Sequence, residues 1–182
     1  NLADYDAEDV RSALGTIASS SEGLISFVQS YRSLTHIAAP VRKAFYLKDL
    51  VNDSVTIAQT NWPSASVSYH ELSEDIILYA DFGQISQVMN NLIKNAVQAG
   101  ASEIDITASI DKRERTVINV ANNGEPISET GKEQIFVPFY TTKGDSGTGV
   151  GLSLCRQIIR LNGGTINLTS STAESTVFTI VL

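Results

Sequence analysis

Pro40 separates two kinds of hydrophobic periodicity, and that break limits the folds open to this chain more than any other feature. Before it, Val10, Ile17, Leu24 and Tyr31 recur at seven-residue intervals, with Leu14, Ser21, Val28 and Thr35 forming a second row. Alternating spacings of four and three between the rows make the seam of a coiled coil or four-helix bundle. The pattern predicts one helix over about residues 6 to 35, with Asp4 or Asp6 as its cap. A single amphipathic helix cannot bury its own stripe, so it calls for a partner helix from another copy of the chain. The plainer alternative lays it on the chain's own core. Proline disfavours helix at the residue before it, which puts a domain boundary in residues 36 to 44 and divides the chain into 1–40 and 41–182.

After the boundary the periods alternate. A helix is predicted over about 47 to 59, then strands at 67–72 and 76–79 joined by a polar turn at Ser73, Glu74 and Asp75. Helical spacing returns at 82–99, where Ile85, Val88, Met89, Leu92, Ile93, Ala96 and Val97 share a broad face. Ile104, Ile106, Ala108 and Ile110 alternate as a strand, followed by Val117, Ile118 and Val120 as another. Residues 124–147 read as irregular, 148–162 as helix, and 165–171 and 175–182 as closing strands. Short turns between neighbouring strands exclude an all-parallel sheet and imply a mixed one with helices on one face.

Composition narrows the function. At 182 residues with 42% apolar content, the chain suffices for one well-buried domain plus an extra element. A net charge of −7 argues against a nucleic-acid binder, which needs a basic face, but leaves a nucleotide ligand open. Backbone N–H groups and one or two cations hold a phosphate inside an acidic protein. The lone Cys155 excludes an internal disulfide framework and suits a reducing, cytoplasmic setting. No apolar run reaches the roughly 18 residues of a membrane helix.

Four stretches carry chemistry. Asn91 and Asn95 stand at i and i+4 beside the apolar stripe of their helix. Their amide oxygens are hard neutral ligands suited to a Mg²⁺ shared with phosphates; a solvated polar stripe is the bland reading. Val120-Ala121-Asn122-Asn123-Gly124-Glu125-Pro126-Ile127 lies at the end of a strand, where a polar side chain meets a base edge or the chain simply turns. Ile135 through Tyr140, Thr141, Thr142 and Lys143 place aromatics and a cation in the irregular segment, where aromatics also serve to anchor a loop. Gly147-Thr148-Gly149-Val150-Gly151-Leu152 precedes a helix. Alternate glycines let the backbone approach a ligand, and the helix behind them aims unpaired N–H groups at it. Each stretch is weak alone; their order is the strong signal.

That order resembles the asparagine, first glycine, phenylalanine and second glycine boxes of histidine kinase catalytic domains, in the superfamily shared with DNA gyrase and HSP90. The likeness covers about residues 45 to 182, and the helix before Pro40 resembles the second helix of the dimerisation and phosphotransfer domain. The resemblance implies a two-layer α+β sandwich with a mostly antiparallel sheet, preceded by a long helix, with ATP between the Asn-bearing helix and a lid at about 125–147. It implies that Asn95 ligates Mg²⁺, with Asn91 on the phosphate side and Lys94 and Lys143 as phosphate cations. Gly147, Gly149 and Gly151 would form the hinge and phosphate turn. Asn122, Gly124, Thr141, Thr142, Thr148 and Leu152 would complete the ATP site, and Thr176 matches a threonine that supports the adenine-binding residue. The superfamily's ATPases carry a water-activating glutamate where this chain has Asn91, so the resemblance favours phosphoryl transfer to a protein side chain over hydrolysis.

Two departures stand out. The usual Asp-x-Gly-x-Gly is Asn122-Asn123-Gly124-Glu125-Pro126, which replaces a charged adenine partner by a neutral one. The phosphoacceptor histidine has no counterpart: His36 lies at the end of the wrong helix and His70 in a strand, so the acceptor is expected upstream. The implied partners are a response regulator receiver domain and a second copy through the N-terminal helix, with membrane anchoring only through upstream regions. A serine kinase or ATPase of the same fold, or a nucleotide-free dimerisation scaffold, are the competing readings.

Overall fold

The structure, a computed structural model, describes residues 7–142 and 147–182; Lys143 lies outside them. Helix α1 spans Ala7–Thr35, and after the Pro40 break come β1 (Lys43–Tyr46), α2 (Leu47–Asn61), β2 (Ser66–Glu71) and β3 (Ile77–Ala80). Next are α3 (Phe82–Gln98), β4 (Glu103–Ile110), β5 (Thr116–Asn122), α4 (Glu129–Gln134), α5 (Gly151–Leu161), β6 (Thr165–Ser171) and β7 (Thr176–Val181).

Five strands form one sheet in the order β2-β4-β5-β7-β6, with β2 parallel to β4 and every other pair antiparallel. Period-two alternation gives the sheet an apolar face: Ile104, Ile106, Ile118, Val120, Phe178 and Ile180 point inward and are buried. Against them pack the stripes of α2 (Leu47, Leu50, Val51), α3 (Ile85, Met89, Ile93) and α5 (Leu154, Ile158, Ile159). The opposite face is polar, as in the hydrogen bonds from Ser68 to Asp105 and from Thr179 to Asn119. One layer of helices on one face of a mixed sheet is the expected architecture.

Three local expectations change. The strands at 67–72 and 76–79 do not pair with each other: β3 joins β1 in a separate two-stranded antiparallel sheet. The turn between them is tied to β4 instead, with Leu72 donating to the Ala108 carbonyl and Ser73 accepting from the Ile110 N–H. Alternation identifies a strand, whereas its partner is chosen by burial across the whole sheet. Strand β1 is an addition: only Phe45 of its four residues turns inward, so it shows no alternating apolar row. The segment read as irregular contains α4, whose N-cap Ser128 accepts the Gly131 N–H.

The boundary after α1 is stitched to the domain behind it. Val41 donates to the Asp81 carboxylate (2.8 Å), Gln84 to the Ala38 carbonyl (2.9 Å) and Arg42 to the Leu161 carbonyl (2.6 Å). Buried Asn162 binds this cluster together, accepting from the Asp81 N–H and donating to Gln84 and to the Ile158 carbonyl.

Candidate functional site

The buried stripe of α3 leaves Asn91 and Asn95 one turn apart on its margin, where both line a cavity of about 460 Å³. The opposite wall comes from the chain after β5 and from the start of α5. Lys94 also lines the cavity, on an exposed position of the same helix.

At the end of β5 the two asparagines part company. The buried Asn122 (7% exposed) lines the cavity: its Oδ1 accepts the Gly124 N–H at 3.1 Å and its Nδ2 donates to the Thr176 carbonyl at 3.3 Å. Asn123 belongs to the turn, its Oδ1 accepting the N–H groups of Ser102 and Glu103, both at 3.0 Å. Gly124 is not part of the lining. A Cβ there would sit 2.8 Å from the Ala99 carbonyl oxygen, so the residue packs behind the cavity and orients Asn122 from there. Thr176 faces Asn122 across the β5–β7 ladder, and its hydroxyl shares a hydrogen with Ser171 at 2.7 Å. Ser171 also accepts the Ile127 N–H, which joins the sheet to the first residues of the loop.

On the other side, Thr141, Thr142, Gly147, Thr148, Gly149, Gly151 and Leu152 line the cavity. Gly149 has φ of +64° and its carbonyl accepts the Phe139 N–H at 2.9 Å. A Cβ on it would fall 2.4 Å from the Phe139 carbonyl carbon, so glycine is obligatory there. That left-handed residue is also why α5 begins at Gly151 and not at 148. No side chain caps the helix, and its first-turn N–H groups at Gly151 and Leu152 stand at the cavity wall. Such an end favours an anion. A Cβ at Gly151 would lie 3.7 Å from Asn91 Oδ1, so the asparagine amide and the helix start are neighbours. Behind both, Cys155 is fully buried against the Asn91 amide, and burial pushes its thiol up to about 12.

Of the loop aromatics, Phe136 is an anchor: it meets Phe178 edge-on at 6.4 Å and carries the Arg156 guanidinium 5.3 Å above its ring. Tyr140 lines the cavity. Ile127, Ile135 and Phe178 also line the cavity, although the sequence reading gave none of them a role in the site. Phe178 was legible, since period two puts it on the same face as Thr176; Ile127 and Ile135 flank the unforeseen α4. His36 is exposed beside the end of α1, and His70 is exposed near Asp105 on the open face of the sheet.

The lining couples an apolar slot with four side-chain amides (Asn91, Asn95, Gln98 and Asn122) and a helix N-terminus, which suits a flat base joined to phosphates. Among the described residues no group of three acidic, histidine or cysteine side chains forms a metal cage. Side-chain amide oxygens such as those of Asn91 and Asn95 are hard, neutral donors.

Residues 80–182 match the histidine kinase-, DNA gyrase B- and HSP90-like ATPases. The chain belongs to this family. Its ATP-binding domain is of the histidine kinase kind. The sensor histidine kinase ZraS of Escherichia coli (strain K12) is 32% identical over 152 residues, which is 81% of this chain and 32% of that protein. The chain thus spans about a third of the curated relatives it matches. The catalytic domain of histidine kinase ThkA is 34% identical with a TM-score of 0.69, over 78% of this chain and 94% of that one. ThkA in complex with response regulator protein TrrA superposes with a TM-score of 0.73 at 27% identity, over 98% of this chain and 52% of that one. Among the described residues no helix is long and apolar enough to cross a membrane.

Proposed function

We propose that this chain is the catalytic part of a two-component sensor kinase, passing the ATP γ-phosphoryl group to a histidine for relay to a response regulator aspartate. The single observation that carries the reading is the meeting of Asn91, Asn95, Asn122, Thr176 and the start of α5 on one cavity. The base enters the apolar slot between Ile127, Ile135 and Phe178, with its edge toward Asn122 and Thr176. The phosphates lie toward α5, where the N–H groups of Gly151 and Leu152 and the Lys94 ammonium offset their charge. Asn95, with Asn91 one turn earlier, would hold a Mg²⁺, which would supply positive charge beside the phosphates. An amide at Asn91 has no basic site with which to deprotonate water, so the γ-phosphate waits for a protein nucleophile. Residues 125–147 act as the lid, with Gly147 and Gly149 at its far hinge.

Residues 1–40 then serve as the second helix of the dimerisation domain. Support comes from the stripe of α1, where Leu14, Ile17 and Leu24 are each more than 60% exposed in the single chain. A response regulator partner is supported by the ThkA–TrrA complex, and we place the site of action in the cytoplasm. Calorimetric titration with ADP, with and without Mg²⁺, tests the centre of the proposal. Binding in the micromolar to sub-millimolar range is expected, and Asn95→Ala should abolish its Mg²⁺ dependence. A folded sample that ignores millimolar nucleotide would instead make the chain a dimerisation module.

A further inference from the structure

The two side chains placed against the base edge, Asn122 and Thr176, are uncharged and can serve in both directions. Asn122 is held in one orientation by its neighbours: turning the amide over would set Nδ2 against the Gly124 N–H and Oδ1 against the Thr176 carbonyl. In that fixed orientation each amide atom has one more hydrogen bond to make, since Oδ1 accepts twice and Nδ2 donates twice. The Thr176 hydroxyl beside it is 3% exposed and bonded to Ser171, a second hydroxyl. Either oxygen of this pair can be the donor, so Thr176 either gives a hydrogen to the cavity or receives one, according to how the pair rotates. Ile127, Ile135 and Phe178 line the cavity as apolar groups and impose no sign, while Glu125, Gln98 and Ser128 add a carboxylate, an amide and a hydroxyl to the lining.

We infer that the site accepts 6-oxopurine nucleotides as a second ligand class beside adenine nucleotides. The inference rests on the placement of the base edge at Asn122 proposed above. A 6-amino group donates to Asn122 Oδ1 while ring N1 accepts from the Thr176 hydroxyl. A 6-oxo group accepts from Asn122 Nδ2 while the protonated N1 donates to the same hydroxyl after its rotor turns. A carboxylate at position 122 accepts only, so it meets the 6-amino group well and repels the 6-oxo group. Discrimination of that kind arises because a buried polar group is left facing its own kind.

Inosine diphosphate is the sharpest probe, because it differs from ADP at this edge and adds no 2-amino group. Displacement of a fluorescent ADP analogue by ADP, IDP and GDP is measured on the whole chain and on Asn122→Asp. The dissociation constants of IDP and ADP should lie within about tenfold of each other in the parent chain, and about a hundredfold or more apart in Asn122→Asp, the scale of one mispaired buried hydrogen bond. GDP reports whether the slot also admits a 2-amino group. ADP binding with IDP weaker by a hundredfold in the parent chain would overturn the inference and leave the nucleotide site standing. Failure of every nucleotide to displace or bind the probe would remove the site itself. Should Asn122→Asp not fold, the IDP to ADP ratio of the parent chain decides alone.

Discussion

Gly149 shows how much one residue decides at this site. Its positive φ, its bond from Phe139 and the absence of room for a Cβ together set the path of the chain into α5. Gly149→Ala forces a Cβ into the Phe139 backbone, so the loop must shift and the first-turn N–H groups of α5 lose their aim. Nucleotide affinity should fall at least about tenfold while far-UV circular dichroism stays close to the parent, since a lost set of phosphate bonds outweighs a local loop change. Affinity within twofold of the parent would show that the loop path is irrelevant to binding. Cys155 illustrates a residue whose role is packing. Its fully buried thiol, pushed up to about 12, is poorly ionised at neutral pH and fills the space behind Asn91.

Among the elements, the turn between β4 and β5 owes its shape to Asp111. Its carboxylate accepts the backbone N–H groups of Arg113 and Arg115 and a forked pair of bonds from the Arg115 guanidinium. Those bonds, the Arg115 side chain first, hold the carboxyl down at about 2. A folded pKa below the unfolded value contributes stability above the unfolded pKa, about 4, and loses it as pH falls toward 2. Amide exchange in the turn should therefore quicken between about pH 4 and pH 2, and Arg115→Ala should move the Asp111 titration upward by NMR. An unmoved titration in that variant would assign the shift to the backbone donors instead. Helix α3 is begun in the same manner by Asp81, whose carboxylate is lowered by the Gln84 and Val41 N–H groups.

For the molecule as a whole, two contacts matter beyond the core. Asn162 joins the end of α5 to the start of α3 and thereby to the segment that follows α1. Asn162→Ala leaves the Asp81 N–H without its partner and should cost about 1–3 kcal/mol, read as a lower urea midpoint with an unchanged slope. The α1 stripe is the opposite case: Leu14, Ile17 and Leu24 are exposed in the single chain, and a second copy is the proposed cover. Ile17→Glu should abolish concentration-dependent association in sedimentation without lowering the melting temperature of the remaining domain. Association that survives the substitution would place the dimer surface elsewhere.

How much of this was legible beforehand follows from the range of the interactions involved. Alternation and helical spacing are local properties, so the helices at 7–35, 47–61 and 82–98 and the strands of the main sheet could be read from residue order. The same holds for the order of the four polar stretches, which located the cavity. Pairing, by contrast, is a long-range outcome. Nothing local in residues 43–46 or 77–80 announces that they leave the main sheet to pair with each other. Short α4 has too few residues for a period, and the removal of Gly124 from the lining depended on how closely Ala99 packs against it. Sequence by itself determined which faces are apolar and which side chains have amides, hydroxyls or freedom of backbone to offer. Tertiary structure alone decided which of them meet, because burial is shared across the whole sheet and a hydrogen bond counts only where its partner arrives.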